Sequence, residues 1–223
     1  MDIDKAAKRN IIRNRCCATL VAAENGGTFM PPKAKFTKEE ITNAAFELTR
    51  EQGACALTAR ALGEKLGSSA KPIFGLFSGM DEVKRSVIEQ ANKLYGEYLA
   101  KEMSEGKYPP YKASGMGYIR FAREEKELFK LLFMRDRTNE KIDGNDDTIR
   151  PIIEIIMNKL GFDEKTAYSF HLEQWIFVHG IASMIATNYI IWDEDDISRA
   201  VTRAYNGLKN EYLTEGKNGG QSN

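Results

Sequence analysis

Ile41, Ala44, Ala45 and Leu48 recur at helical spacing with polar residues between them, a pattern that predicts an amphipathic helix. Thr37 with Glu40 three places on forms a capping box, Phe36 can staple onto Ile41, and Gly53 ends the run. A second, short helix is opened by Thr58, carries Ala61, Leu62 and Leu66 inward, and is closed by Gly67. Ser68-Ser69 reads as the cap of a third, very short helix, whose Pro72 falls in the first turn where a missing N–H does no harm. A long fourth helix starts at Asp81-Glu82 and runs through Val83, Val87, Ile88 and Leu94 to about Leu99.

Pro109-Pro110 then breaks the chain. Beyond it the apolar spacing predicts helices over 111–123, 126–134, 148–160, 163–189 and 195–213, with Asp163 and Asp195 as caps and Gly161 as a stop. Residues 135–147 read as a polar loop, and Glu124-Glu125-Lys126-Glu127 as a solvated turn. No β pattern persists and no internal repeat is present. The expected fold is all-α: an N-terminal three-helix unit joined by a long helix to a C-terminal helical bundle. The expected divisions are a flexible extension over 1–35, the three-helix unit over 36–82, the bundle over 83–215, and a disordered tail over 216–223.

Residues 1–35 carry no sustained period. Lys5, Lys8, Arg9, Arg13 and Arg15 precede Cys16-Cys17, and Gly26-Gly27 and Pro31-Pro32 punctuate the remainder of the segment. Two readings stand: a basic arm that adds phosphate contacts, or an over-extended reading frame with Met30 as the start. The second is preferred, with 1–29 dispensable to the fold.

Composition narrows the function. Hydrophobic residues at 42% and charged residues at 29% are the balance of a folded globular chain. The 32 basic and 32 acidic residues cancel, so any affinity for nucleic acid must come from locally placed groups. Three cysteines, two of them adjacent, make neither a disulfide framework nor a metal knuckle. His171 and His179 stand eight apart, about 12 Å along a helix, too far to chelate one metal. No nucleophile is spaced with a base, so an enzyme, a metal and a cofactor are not expected. The apolar stretch 175–191 is interrupted by His179, Ser183, Thr187 and Asn188, which argues against a membrane span and for a cytoplasmic location.

Residues 100–190 are rich in aromatics and methionine. Core packing is the ordinary role of each, but as a set they suggest a cavity for a hydrophobic or aromatic ligand. The candidate ligand residues are Tyr118, Phe121, Phe129, Phe133, Trp175 and His179. Trp175 and His179, four apart, share a helix face and offer a stacking surface with one polar group. The competing reading bonds His179 to a core carbonyl beside Gly180. The last two predicted helices would pair with those of a second copy as a four-helix bundle.

Two short helices around a glycine turn, behind a capped helix, are the geometry of a helix-turn-helix. The stretch 36–87 resembles the DNA-binding domain of the TetR family of regulators, through Ile41, Ala44-Ala45, Leu48, Gly53, Leu57-Thr58, Arg60, Leu62-Gly63, Gly67, Ser69, Phe74, Phe77 and Asp81-Glu82-Val83. Gln174 to Ala182, with Trp175 and His179-Gly180, is similar to the Trp…His-Gly signature of one group of TetR C-terminal domains.

The resemblance implies a homodimeric, ligand-responsive regulator with a double-stranded DNA operator and a small-molecule effector as partners. Thr37 and Thr58 would hold phosphates at helix starts, besides capping. Arg60, Ser69, Ala70, Lys71 and Phe74 would face DNA: Lys71 and Arg60 at base edges or phosphates, Ala70 at a thymine methyl. Phe74 stands where the family usually has Tyr and drops the hydroxyl. Met80 stands where the family usually has Lys, and Lys84 and Arg85, one turn on, would substitute in part. Repression relieved by the effector is the expected outcome. The rivals are an enzyme on a helical bundle and a ligand-binding or interaction module that has lost specific DNA binding.

Overall fold

The computed structural model describes residues 35–138 and 149–218, with side chains through residue 214. The expectations for the N-terminal extension, most of the polar loop and the last five residues lie outside the described residues. Among those described, every element is helical, as the apolar spacing predicts. The helices are α1 (Lys38–Gln52), α2 (Ala59–Lys65), α3 (Lys71–Phe74), α4 (Met80–Ser104), α5 (Pro110–Glu124), α6 (Lys126–Phe133), α7 (Arg150–Leu160), α8 (Glu164–Ala186) and α9 (Glu194–Asn218), with a 3-10 turn at Ala54–Ala56.

Local chemistry sets most boundaries. The Thr37 hydroxyl accepts from the Glu40 N–H while Glu40 reaches back to the Thr37 N–H, a complete capping box. Thr58 caps α2 through the Ala61 N–H, and Asp163 caps α8 through the Thr166 N–H at 2.8 Å. Gly161 ends α7 in the left-handed conformation, φ 71°, where a Cβ would be penalised.

Several expected boundaries move. Ser68-Ser69 does not cap α3: Ala70 holds the N-cap position without a side-chain bond, and the Ser68 hydroxyl accepts from Lys35 instead. α4 continues to Ser104 rather than Leu99, because no breaker precedes Gly106 and its last turn buries Glu102 against Arg120 of α5. α8 stops at Ala186, three residues short of Tyr189, where Asn188 takes a positive φ of 57°. Asp193, not Asp195, accepts from the Asp196 N–H at the start of α9, and α9 passes Gly216 to reach Asn218. Glu125 is buried rather than solvated.

One hydrophobic core runs from the N-terminal helices into the bundle. Ile41, Leu62, Ile73 and Val83 share a cluster with Phe121, Leu128, Phe129 and Ala182. The chain therefore crosses from the three-helix unit to the bundle without a break in packing, and α4 carries the crossing. A second cluster of Ile153, Ile156, Ala167 and Phe170 joins α7 to α8, with Tyr205 and Tyr212 of α9 against it. Gly63 fixes the turn between α2 and α3: a Cβ there would stand 3.0 Å from the Ser68 carbonyl oxygen and 3.1 Å from the Ala70 nitrogen. The close approach of α3 to α2 thus favours glycine, since a side chain there would push the facing backbone back by a few tenths of an ångström.

Candidate functional site

On α5, Tyr111, Ser114, Gly115 and Tyr118 fall on one face at helical spacing. The two rings are about 10.5 Å apart along the helix, and the small residues between them leave room. A Cβ on Gly115 would meet only Val178 of α8, at 3.6 Å. α8 faces α5 with Tyr168, His171, Leu172, Trp175 and Val178. The space between them is a cavity of about 550 Å³, closed by Ile152 of α7, Phe133 of α6, Tyr95 of α4, and Val201, Thr202 and Tyr205 of α9. That volume lies within the range of small-molecule sites, roughly 300–1,000 Å³.

Each end of the cavity has an aromatic wall and a Tyr–His pair. At one end the Tyr118 ring packs 4.9 Å from Phe133, 5.9 Å from Tyr95 and 6.5 Å from Trp175. Its hydroxyl is 2.7 Å from His179 Nδ1, and His179 Nε2 is 3.2 Å from the Ser183 hydroxyl. At the other end Tyr111 packs against Tyr205 and His171, with its hydroxyl 3.2 Å from His171 Nδ1. Burial raises both tyrosine hydroxyls above their ordinary range and lowers both histidines below theirs. All four groups are therefore neutral at pH 7, and each tyrosine hydroxyl shares one hydrogen bond with the Nδ1 atom it faces.

The expected ligand residues separate into two layers. Tyr118, Phe133 and Trp175 line the cavity. Phe121 and Phe129 are fully buried in the core outside that lining. His179 also stands outside the lining: it stacks on Trp175, ring centroids 4.8 Å apart, and is bonded to Tyr118 rather than to a carbonyl. Sequence reasoning missed Tyr111, Lys112, His171, Thr202 and Tyr205. One usable pattern was present: tyrosines seven apart on one predicted helix and histidines eight apart on another match in spacing, as two parallel helices paired at both ends require.

The N-terminal helices present a different surface. Ile73 and Phe77, both buried, anchor α3 and its exit, so Lys71 and Phe74 project outward, Phe74 with half its surface exposed. Ser69 is exposed, while Ala70 is half-buried and packs against the core. Lys71 has no polar partner among the described residues. Three other cations here are paired with carboxylates: Arg60 Nε donates to Glu64 at 2.9 Å, Lys38 pairs with Glu82, and Lys84 lies 3.6 Å from Asp81. The exposed Thr37 and Thr58 hydroxyls serve their own helices as caps. Met80 is half-buried against the core.

Among the described residues no group of histidine, cysteine or carboxylate side chains could hold a metal ion, and no helix is long and apolar enough to cross a membrane. No curated protein matches the chain. Residues 111–208, which carry most of the cavity wall, match the family model described as "Tetracyclin repressor-like, C-terminal domain", and this part of the chain is similar to that family.

Proposed function

We propose that this protein is a ligand-responsive, DNA-binding transcriptional regulator of the TetR type, a repressor that leaves its operator when a small hydrophobic or aromatic effector fills the cavity. The observation that carries this reading is the aromatic-walled cavity inside the residues similar to tetracycline repressor C-terminal domains. Support comes from the N-terminal helices, where a glycine turn holds a short outward-facing helix with a free lysine. The role is regulatory rather than enzymatic, and the site of action is the cytoplasm.

The working unit in this reading is a homodimer through α8 and α9. Ile176 and Met184 lie exposed along the outer face of α8, one on each side of Gly180, where a Cβ would meet open space. Such a ridge suits close packing against its own copy about a two-fold axis. Ligand shifts the dimer between two spacings of the paired α3 helices, and does so only by its differential affinity for them. α4 transmits the change, since it carries Val83 in the N-terminal core and Tyr95 at the cavity.

A second reading, a ligand-binding module that has lost specific DNA binding, is favoured by Met80 and by the pairing of Lys38, Arg60 and Lys84 with carboxylates. Selection of bound sites from random DNA, followed by gel shift, separates the two. Enrichment of one two-fold-related sequence is the expected result. No enrichment at any salt concentration would leave only the module.

A further inference from the structure

Lys112 occupies the cavity wall between Tyr111 and the small residues of α5. Its ammonium donates to the Ser198 hydroxyl at 2.6 Å and the Thr202 hydroxyl at 2.9 Å, and lies 4.6 Å from the centre of the Tyr108 ring. Thr202 passes its own proton to the Ser198 carbonyl at 2.8 Å, so it is an acceptor toward Lys112. All these partners are neutral. No carboxylate pairs with Lys112 among the described residues, and the charge that acts on it, Lys107, has the same sign. Lys159 adds positive charge to the lining, and no aspartate or glutamate among the described residues lines the cavity. A half-buried cation fixed by hydroxyls, with no counter-charge among the described residues, is a poor way to stabilise a fold and a good way to hold an anion.

We infer that the effector is an amphipathic organic anion, with an apolar or aromatic body between the ring walls and a carboxylate- or sulfonate-type headgroup on Lys112. This rests on the proposed role of the cavity as the effector site. The headgroup supplies the missing counter-charge. The body fills space walled by Tyr118, Phe133 and Trp175, where an inorganic anion would gain nothing.

Two dyes differing in one group test it: 8-anilinonaphthalene-1-sulfonate and its uncharged parent, N-phenyl-1-naphthylamine. Both are titrated by fluorescence into the full chain carrying Trp192→Phe, so that energy transfer from Trp175 reports occupancy of the cavity. The sulfonate is expected to bind about tenfold more tightly than the neutral dye, the effect of one charge-assisted hydrogen bond. Lys112→Met removes that advantage and leaves the neutral dye within about twofold, and Lys112→Arg retains it. Lys112→Gln keeps a donor for the hydroxyls and loses only the charge, so it must behave as Lys112→Met does; thermal unfolding confirms that each variant is folded. Equal affinity of the two dyes, or an advantage that survives both neutral variants, overturns the anion assignment while leaving the cavity as an effector site. Failure of both dyes to quench Trp175 overturns the effector-site reading and the anion assignment with it.

Discussion

Arg50, at the end of α1, grips the buried carboxylate of Glu125, at the junction of α5 and α6, with two parallel bonds: Nε donates to Oε2 at 2.7 Å and Nη2 to Oε1. The Tyr98 hydroxyl of α4 donates to Glu124 at 2.8 Å and stands 3.3 Å from Glu125. α1 and α4 thus meet the junction of α5 and α6 at one carboxylate. The same junction opens α6, whose Phe133 lines the cavity.

Cutting one side of that grip should be costly. Arg50→Ala leaves Glu125 buried without its cation and should lower stability by about 2 kcal/mol, tempered by the partial exposure of Arg50. The double variant Arg50→Ala/Glu125→Ala should lose less than the sum of the two single changes. Chemical denaturation of the four proteins measures the difference. Additive losses would show that the pair is not coupled.

Lys71→Ala should weaken operator binding by about 1–3 kcal/mol and relax preference at one base position if the lysine reads a base. Met80→Lys should steepen the salt dependence of binding by about one counterion, its stem remaining on the core while the ammonium reaches outward. Binding titrations at several salt concentrations check both. Unchanged affinity for Lys71→Ala would remove α3 from the DNA surface.

Trp175 stacks on His179 and lines the cavity, yet remains about one-third exposed, at 36%. Trp175→Ala should therefore cost less than the roughly 3–5 kcal/mol of a fully buried aromatic. The variant should still bind operator but no longer be released by a cavity ligand such as the naphthalene sulfonate. A strongly lowered melting temperature with normal release would return Trp175 to the core.

Burial holds His171 and His179 below the ordinary value of 6.5, so the folded chain resists a proton that the unfolded chain accepts. The stability this gives is fully present above pH 6.5 and is lost as pH falls through the folded values. Glu82, held down to about 2 by Lys38 and the Ser78 N–H and hydroxyl, acts in a separate window below pH 4.5. Melting temperature against pH should fall in two stages. The variant His171→Gln/His179→Gln should flatten only the upper one, and an unchanged upper slope would show that the histidines are not its source.

Helix starts and stops are legible wherever a local bond sets them. Thr37, Thr58, Asp163 and Gly161 act within four residues of their own position, a distance that sequence spacing reports directly. The α3 cap departs from expectation because Ser69 has the right chemistry but Gly63 lets the backbone turn tightly enough to place Ala70 there. The C-cap of α8 departs for a similar reason: apolar Tyr189 continues the pattern, but the backbone turns at Asn188.

By itself, the sequence determined that this chain is helical, where its short N-terminal helices lie, and that its second half is rich enough in aromatics to wall a cavity. Periodicity identifies the face a helix buries, and caps identify its ends. Only the tertiary structure decided which faces meet. It separated Trp175 and Phe133, which line the cavity, from Phe121 and Phe129, which pack behind it. It also joined Tyr111 to His171 and Tyr118 to His179 across two parallel helices. The charged residues were decided last: Glu125 looks solvated among its neighbours, yet its partner Arg50 lies 75 positions away. Lys112 looks like a surface lysine until α9 brings two hydroxyls to it. Whether a charge is buried, and what it then attracts, depends on groups that only folding brings within bonding distance.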